Sequence, residues 1–315
     1  MQIEDATIQW LMEGDPAIRW QVQKDLLDLP EEKCQQERQK VGTEGWGKRL
    51  LTLQDPAGTW AKGLYSPKWT STTYTILLLI RLGLPRNNPQ AHKAGQILLE
   101  KGFYTDGGIN LFNSLSYSEM CVTGMVFKIL CYFRIEDPRI HNIFEFIRHE
   151  QMADGGWNCE KPKGAIHSSF HTTISVLEGL WEYEQWYPAK KFAIHSIVDK
   201  AHEFLLLHHL FKSHRTGNIV DKKMARINFP PRWRYDFLRI LDYFQARNSP
   251  KDPRMQDAVD LLQNKRKKTG WWNQGSNWAG RTFFDLEPVS EPGRMNTLRA
   301  LRVLRWWDRN TPSHI

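Results

Sequence analysis

The chain has 315 residues, 41% hydrophobic and 25% charged, which is long enough to bury a large core and excludes a disordered or fibrous protein. Its formal charge of +8 suits an anionic partner, but the basic residues are scattered and match no nucleic-acid-binding motif, so nucleic acid is not expected. No apolar run reaches membrane-span length, no signal-like segment opens the chain, and four cysteines without close spacing (Cys34, Cys121, Cys131, Cys159) imply free thiols or a metal site in a reducing, cytoplasmic setting.

Read in order, the chain alternates polar and apolar helical segments. ATIQWLMEGDPAIRWQVQKDLLDLP predicts a short helix, a helix start at Asp15-Pro16 and a stop at Pro30. An outer helix over 32–53 precedes QDPAGTW, a loop and the apolar TSTTYTILLLIRLGLP. A second, 89–99, precedes FYTDGGIN, a loop and SEMCVTGMVFKILCYF. A third, 138–151, leads into the densest stretch, QMADGGWNCEKPKGAIHSSFHTTISVLEGL. There a Gly-Gly-Trp turn is followed by a loop carrying Cys159 and His167, then His171, then a helix from Thr172. A fourth outer helix, 192–210, leads through a basic loop to NFPPRWRYDFLRILDYF. A fifth, 253–264, leads to TGWWNQGSNW and EPGRMNTLRALRVLRWW, and the tail TPSHI is expected to fray.

Aligned on their apolar ends, the second helices place Thr73, Cys121, His171, Arg232 and Met295 at equivalent positions, in steps of 48, 50, 61 and 63 residues. A sixth member starts near Ala17. Two helices per unit at this spacing make a helical repeat array. Six hairpins without polar caps are best closed on themselves, with the apolar helices (ILLLI, GMVFKIL) inside. The expected fold is therefore all-α, an (α/α)6 toroid forming a single domain over 1–315, with an open solenoid as the alternative. In the turns glycine makes the bend, aspartate caps it and tryptophan packs between hairpins, so Asp106 and Asp154 are read as structural.

The turns QDPAGTW, TDGGI, QMADGGWN and TGWW resemble the QW repeats of squalene and hopene cyclases. The stretch DGGWNCEKPKGAIHSSFHTTISVLEGL is also similar to the segment of protein prenyltransferase β subunits in which a GGF turn precedes a YHT-type helix start. Both families share the α/α toroid, and this chain has the length of one toroid, as in a single-toroid bacterial-type member of the terpenoid cyclase and prenyltransferase superfamily. It lacks the DxDD motif with which class II cyclases protonate their substrate, and lacks DDxxD. The resemblance thus implies a prenyltransferase-like transferase that binds an isoprenoid or other lipid-like molecule in a central, aromatic-lined apolar cavity, with or without a diphosphate, and does not start a cyclisation with acid.

Prenyltransferases hold one zinc through Asp, Cys and His. Here Cys121, Cys159, His167 and His171 form a Cys2His2 or Cys2His set suited to zinc, with no counterpart of the Asp ligand. Four bound side chains would make the zinc structural, and three would leave an open catalytic position. The family's diphosphate cluster is matched by Arg232, Arg234 and Tyr235 at one inner-helix start and Arg294 at the next, the alternative being that these arginines pair with Asp236, Asp242, Glu287 or Glu291. Cys131 reads as core and Cys34 as incidental. His202, His208, His209 and His214 read as a solvated face, and Arg299, Arg302 and Arg305 as a solvated or interface stripe. Two other functions stand beside the transferase. One is a non-catalytic toroid that binds a lipid or a protein, with a structural zinc or no metal, which leaves a protein partner or a peripheral membrane contact open. The other is a glycan-active (α/α)6 enzyme using carboxylates such as Glu119 and Glu178.

Overall fold

A computed structural model describes residues 3–309, so the TPSHI tail lies outside the described residues. Thirteen α-helices are present among them, and no strand. Six form an inner ring: α2 (Pro16–Asp25), α5 (Thr72–Leu82), α7 (Met120–Tyr132), α9 (Phe170–Trp186), α11 (Phe237–Ala246) and α13 (Arg294–Asp308). Around them stand α1 (Asp5–Met12), the pair α3 (Glu31–Gln39) and α4 (Gly45–Leu51), then α6 (Pro89–Gly102), α8 (Arg139–His149), α10 (Lys191–Leu207) and α12 (Gln256–Asn264).

The ring closes. Trp20 Nε1 on α2 donates to the Leu82 carbonyl on α5 at 2.9 Å, and the Tyr132 hydroxyl on α7 donates to the Leu84 carbonyl just past α5 at 2.7 Å. α7 and α9 touch through Gly124 and Gly179, where a Cβ on Gly124 would lie 2.8 Å from the Val176 amide. Arg239 of α11 binds Glu178 of α9 at 2.8 Å, and Arg302 of α13 binds Asp242 of α11 at 2.6 Å. Arg302 also reaches Gln21 and Asp25 of α2, at 2.9 and 3.0 Å, which returns the chain to its first inner helix. The outer ring closes as well: Trp10 of α1 stacks on Trp271 at 4.2 Å, and Trp271 Nε1 donates to Thr7 at 3.0 Å. This is an (α/α)6 toroid.

One turn, repeated, sets the spacing of the pairs. Trp60, Trp157 and Trp272 each donate Nε1 to a carbonyl ten residues back, on Leu50, Ile147 and Leu262, at the end of the preceding outer helix. Their backbone amides, and that of Ile109, donate to Thr72, Thr173, Thr297 and Thr123 on the inner helices at 3.0–3.1 Å. Gly58, Gly107, Gly155 and Gly270 supply the positive φ, 85–97°, that a Cβ would strain. Gln54 and Gln151 lock the turn to the next hairpin, each donating to a turn carbonyl (Gly58, Gly155) and to an outer-helix carbonyl (Gln90, Ile197). Asp106 and Asp154 accept from the amides of Ser118 and Ser168 at 2.8 Å, so both aspartates are structural.

Four expectations change. The outer helix expected over 32–53 is broken into α3 and α4 by a 3-10 turn and by Gly45 at φ 57°. The fifth inner helix starts at Phe237, not at Arg232, because Pro230 and Pro231 have no amide to donate and Arg232 is left-handed at φ 60°. Arg299, Arg302 and Arg305 are no solvated stripe: Arg299 is 2% exposed, Arg302 is shared by Asp242 and Asp25, and Arg305 pairs with Asp28. His202 is enclosed against Tyr243, its Nε2 3.1 Å from the hydroxyl, and burial pushes its pKa down to about 3.

Gly124→Ala is expected to force α7 and α9 apart and cost about 1–3 kcal/mol or more. Trp157→Phe, which replaces the indole by a smaller phenyl ring and loses the Nε1 bond, is expected to cost about 1–3 kcal/mol. Urea unfolding of both variants measures the two losses.

Candidate functional site

The loops that join outer to inner helices gather at the N-terminal ends of the inner ring, and the expected metal and anion residues lie there. Cys121 opens α7, and its thiol donates to Ser175 Oγ on α9 at 3.8 Å. The Cys159 thiol lies beside the Glu119 carboxyl, whose other role is to cap α7 by accepting from the Val122 amide at 2.7 Å. Burial raises both the Cys121 and Cys159 thiols, the latter to about 11, with Glu119 adding to each shift. His171 Nδ1 accepts from the Tyr235 amide at 2.8 Å, so this ring is tied to the loop before α11. His167 is exposed, and its carbonyl accepts from Asn158 at 2.7 Å. Cys121, Cys159 and His171 are therefore each engaged elsewhere, and His167 stands apart. Among the described residues no three His, Cys, Asp or Glu side chains are placed to hold one metal ion. As placed, the set does not fit a zinc.

The arginines of this face stack on indoles. Arg232 lies 5.5 Å over Trp69, and burial lowers its pKa to about 10. Arg234 lies between Trp233 and Trp278 at 4.6 and 4.4 Å. Tyr235 is buried and its hydroxyl donates to the Leu210 carbonyl. Arg294 is elsewhere: it stacks on Trp10 at 4.7 Å and donates to the Trp10 carbonyl at 2.9 Å. The helix starts themselves are already capped by carboxylates. Glu287 accepts from the Arg294 amide at 2.6 Å, and Asp236 from the Arg239 amide at 2.7 Å.

A second site, which the sequence reading missed, occupies the axis towards the C-terminal ends of the inner helices. It is a chamber of about 290 Å³. On one side Glu178 is held by Arg239 with both oxygens at 2.8 and 3.0 Å, by Arg81 at 3.0 Å and by Lys128 at 2.9 Å. Burial opposes the charge on Glu178, but the three cations overcome that and hold its carboxyl well below the usual range. On the other side Asp242 is shared by Arg299 and Arg302. Arg86 pairs with Glu182 at 2.8 Å, and Arg38 donates to the Gly83 carbonyl at 2.8 Å and to Tyr132 at 2.7 Å. Lys24 completes the wall, which thus carries eight basic groups against three carboxylates. Trp20, Tyr132, Trp181 and Tyr243 supply aromatic surface. Arg299 Nη2 is buried without a hydrogen-bond partner. The apolar cavity expected from the resemblance is in fact strongly basic, because side chains of arginine length are what reach the centre of so wide a ring.

Both carboxylates of the glycan-active alternative have structural partners here. Glu178 is fixed as an anion by its cations, while Glu119 is a helix cap whose pKa burial raises.

No family model matches the chain, and no curated protein does. Among solved structures, a protein from Actinoplanes has a TM-score of 0.48 at 14% identity, covering 93% of this chain and 90% of that one. The type II terpene cyclase MstE from Scytonema, in its apo form, has a TM-score of 0.46 at 16% identity over 92% of this chain and 88% of that one. A variant of that cyclase in complex with geranylgeranyl dihydroxybenzoate has a TM-score of 0.44 at 16% identity, over 93% and 87%. Among the described residues no helix is long and apolar enough to cross a membrane.

Two titrations follow. Burial lowers His171 to about 4 from 6.5, so the fold favours its neutral form. That contribution is complete above pH 6.5 and is lost as pH falls towards 4, about 2 kcal/mol between pH 7 and 5. His171→Gln is expected to flatten this limb of the Tm-against-pH curve. Glu178 works below it: its stabilisation is present above about pH 4.5 and is lost only in stronger acid. Glu178→Gln leaves three buried cations without their counter-charge and is expected to cost about 3–5 kcal/mol at neutral pH in urea unfolding.

Proposed function

We propose that this toroid is a binding vessel for a small organic anion held in the C-terminal chamber. The observation that carries the reading is the charge of the wall, eight basic groups against three carboxylates. Cations withdrawn from water are costly unless compensated, and a ligand oxyanion supplies the compensation. The unpaired Arg299 Nη2 is a donor waiting for such an acceptor. Aromatic walls suit the apolar body of the same molecule. An isoprenoid diphosphate, the ligand class implied by the sequence resemblance, has both parts. Each chamber carboxylate is ion-paired, so none is offered as a proton donor, and binding without acid-initiated cyclisation is the reading that fits.

One observation favours a second seat, on the N-terminal face. Arg234 Nε, Trp233 Nε1 and Trp278 Nε1 are buried donors without a hydrogen-bond partner, set among Lys68, Arg232 and Arg234. An oxyanion there would be met by donors alone.

Calorimetric titration with inorganic diphosphate, geranyl diphosphate and geraniol tests the chamber. Both anions are expected to bind, more weakly as ionic strength rises, and geraniol is expected not to. Lys24→Gln combined with Arg38→Gln is expected to weaken both by about tenfold. Equal binding of geraniol, or undiminished binding to the double variant, would remove the chamber from consideration.

A further inference from the structure

Outside the ring axis, the wall between the fifth and sixth units carries a pocket of about 270 Å³. It is bounded by the loop before α11, the end of α12 and the turn after Trp272. Three of its lining residues are basic, Arg226, Lys265 and Lys267, and none is acidic. Among the described residues their side chains form no ion pair, though surface lysines and arginines elsewhere on the chain pair freely. Like charges crowd one another here: Lys265 is pushed down by burial and then by Lys267 and Arg226.

The floor gives a second, independent sign. Asn228 is 3% exposed, lines the pocket, and both its Oδ1 and its Nδ2 are buried without a hydrogen-bond partner. A buried amide left wholly unsatisfied costs several bonds' worth of desolvation and calls for an explanation. Gly275 presses its backbone onto this spot, where a Cβ would collide with Asn228 Oδ1 and with the Ile227 carbonyl. The absence of a side chain there keeps the Asn228 amide at the pocket wall.

We propose that this pocket is a binding site for a hydroxyl-bearing organic phosphate. Lys265, Lys267 and Arg226 meet the phosphate charge, and Asn228 Nδ2 donates to one of its oxygens. Asn228 Oδ1 is an acceptor, so a pure oxyanion would leave it orphaned, and a ligand hydroxyl satisfies it. The volume is near the lower end of small-ligand pockets, roughly 300 Å³, and exceeds what a lone phosphate fills. This site is separate from the chamber and stands whether or not the chamber binds an anion.

The test is calorimetry and thermal shift on the full chain, with inorganic phosphate and ribose 5-phosphate as probes. Both are expected to bind, the sugar phosphate more tightly. Lys265→Gln with Lys267→Gln is expected to weaken both by about tenfold or more. Asn228→Ala, which removes one of the phosphate donors and the acceptor for the ligand hydroxyl, is expected to lower the inorganic phosphate affinity less than the lysine pair does and to abolish the advantage of the sugar phosphate. Lys24→Gln with Arg38→Gln in the chamber is expected to change neither. No binding to the wild type, or binding that survives in the double lysine variant, overturns the site. Equal affinity for the two probes overturns the role of the hydroxyl.

Discussion

A single carboxylate holds the inside of this ring. Glu178 on α9 receives Arg239 from α11, Arg81 from α5 and Lys128 from α7, so four of the six inner helices meet at one buried anion. The geometry explains why charge is used. Six helix axes spaced at about 10 Å form a hexagon whose centre is also about 10 Å from each axis, too far for leucine or valine to span. Arginine and lysine reach it, and a carboxylate midway lets them do so without mutual repulsion. The remaining inner helices join by the same device, with Asp242 of α11 taking Arg302 of α13, which in turn reaches Asp25 of α2. Such a network does not exceed an apolar core in stability, but breaking one member leaves uncompensated charge, which makes the closure all-or-none.

The two ends of the ring differ for a related reason. At the N-terminal ends the partial positive charges of the inner helices are answered by acidic caps, Glu119, Asp236 and Glu287, and the opening is filled by indoles. At the C-terminal ends the helix dipoles present partial negative charge, which favours the arginines and lysines that line the chamber. One polarity, repeated six times, therefore builds an indole-lined face and an arginine-lined chamber from the same repeat.

What could be read from the sequence was whatever the repeat determines locally. Gly, Asp and Trp recur at the turns because the glycine bend, the aspartate cap and the indole N–H bond each act within fourteen residues, and the apolar runs ILLLI and GMVFKIL announce the buried ring. The places of Cys121 and His171 in the first turns of two inner helices were also legible, since each lies two residues before a pinned threonine, Thr123 or Thr173. Side-chain direction was not. Whether these residues face one another or turn to Ser175, Glu119 and the Tyr235 amide depends on packing between hairpins about fifty residues apart. Arg299 and Arg302 looked like surface residues because their acids lie on α11 and α2, up to 277 residues away in sequence. The phosphate pocket was hidden similarly, its lysines and its asparagine being brought together only by the docking of two units.

The charge balance of the whole chain sharpens the functional reading. The formal excess is +8. The chamber wall alone has five more basic groups than acidic ones, and the pocket at Asn228 has three with no acid. These two concavities hold an excess equal to that of the entire chain, so the remaining residues sum to no net charge. In the chamber the excess lies on buried Lys128, Arg239 and Arg299, with low dielectric behind them, where it acts at short range and on ligands small enough to enter.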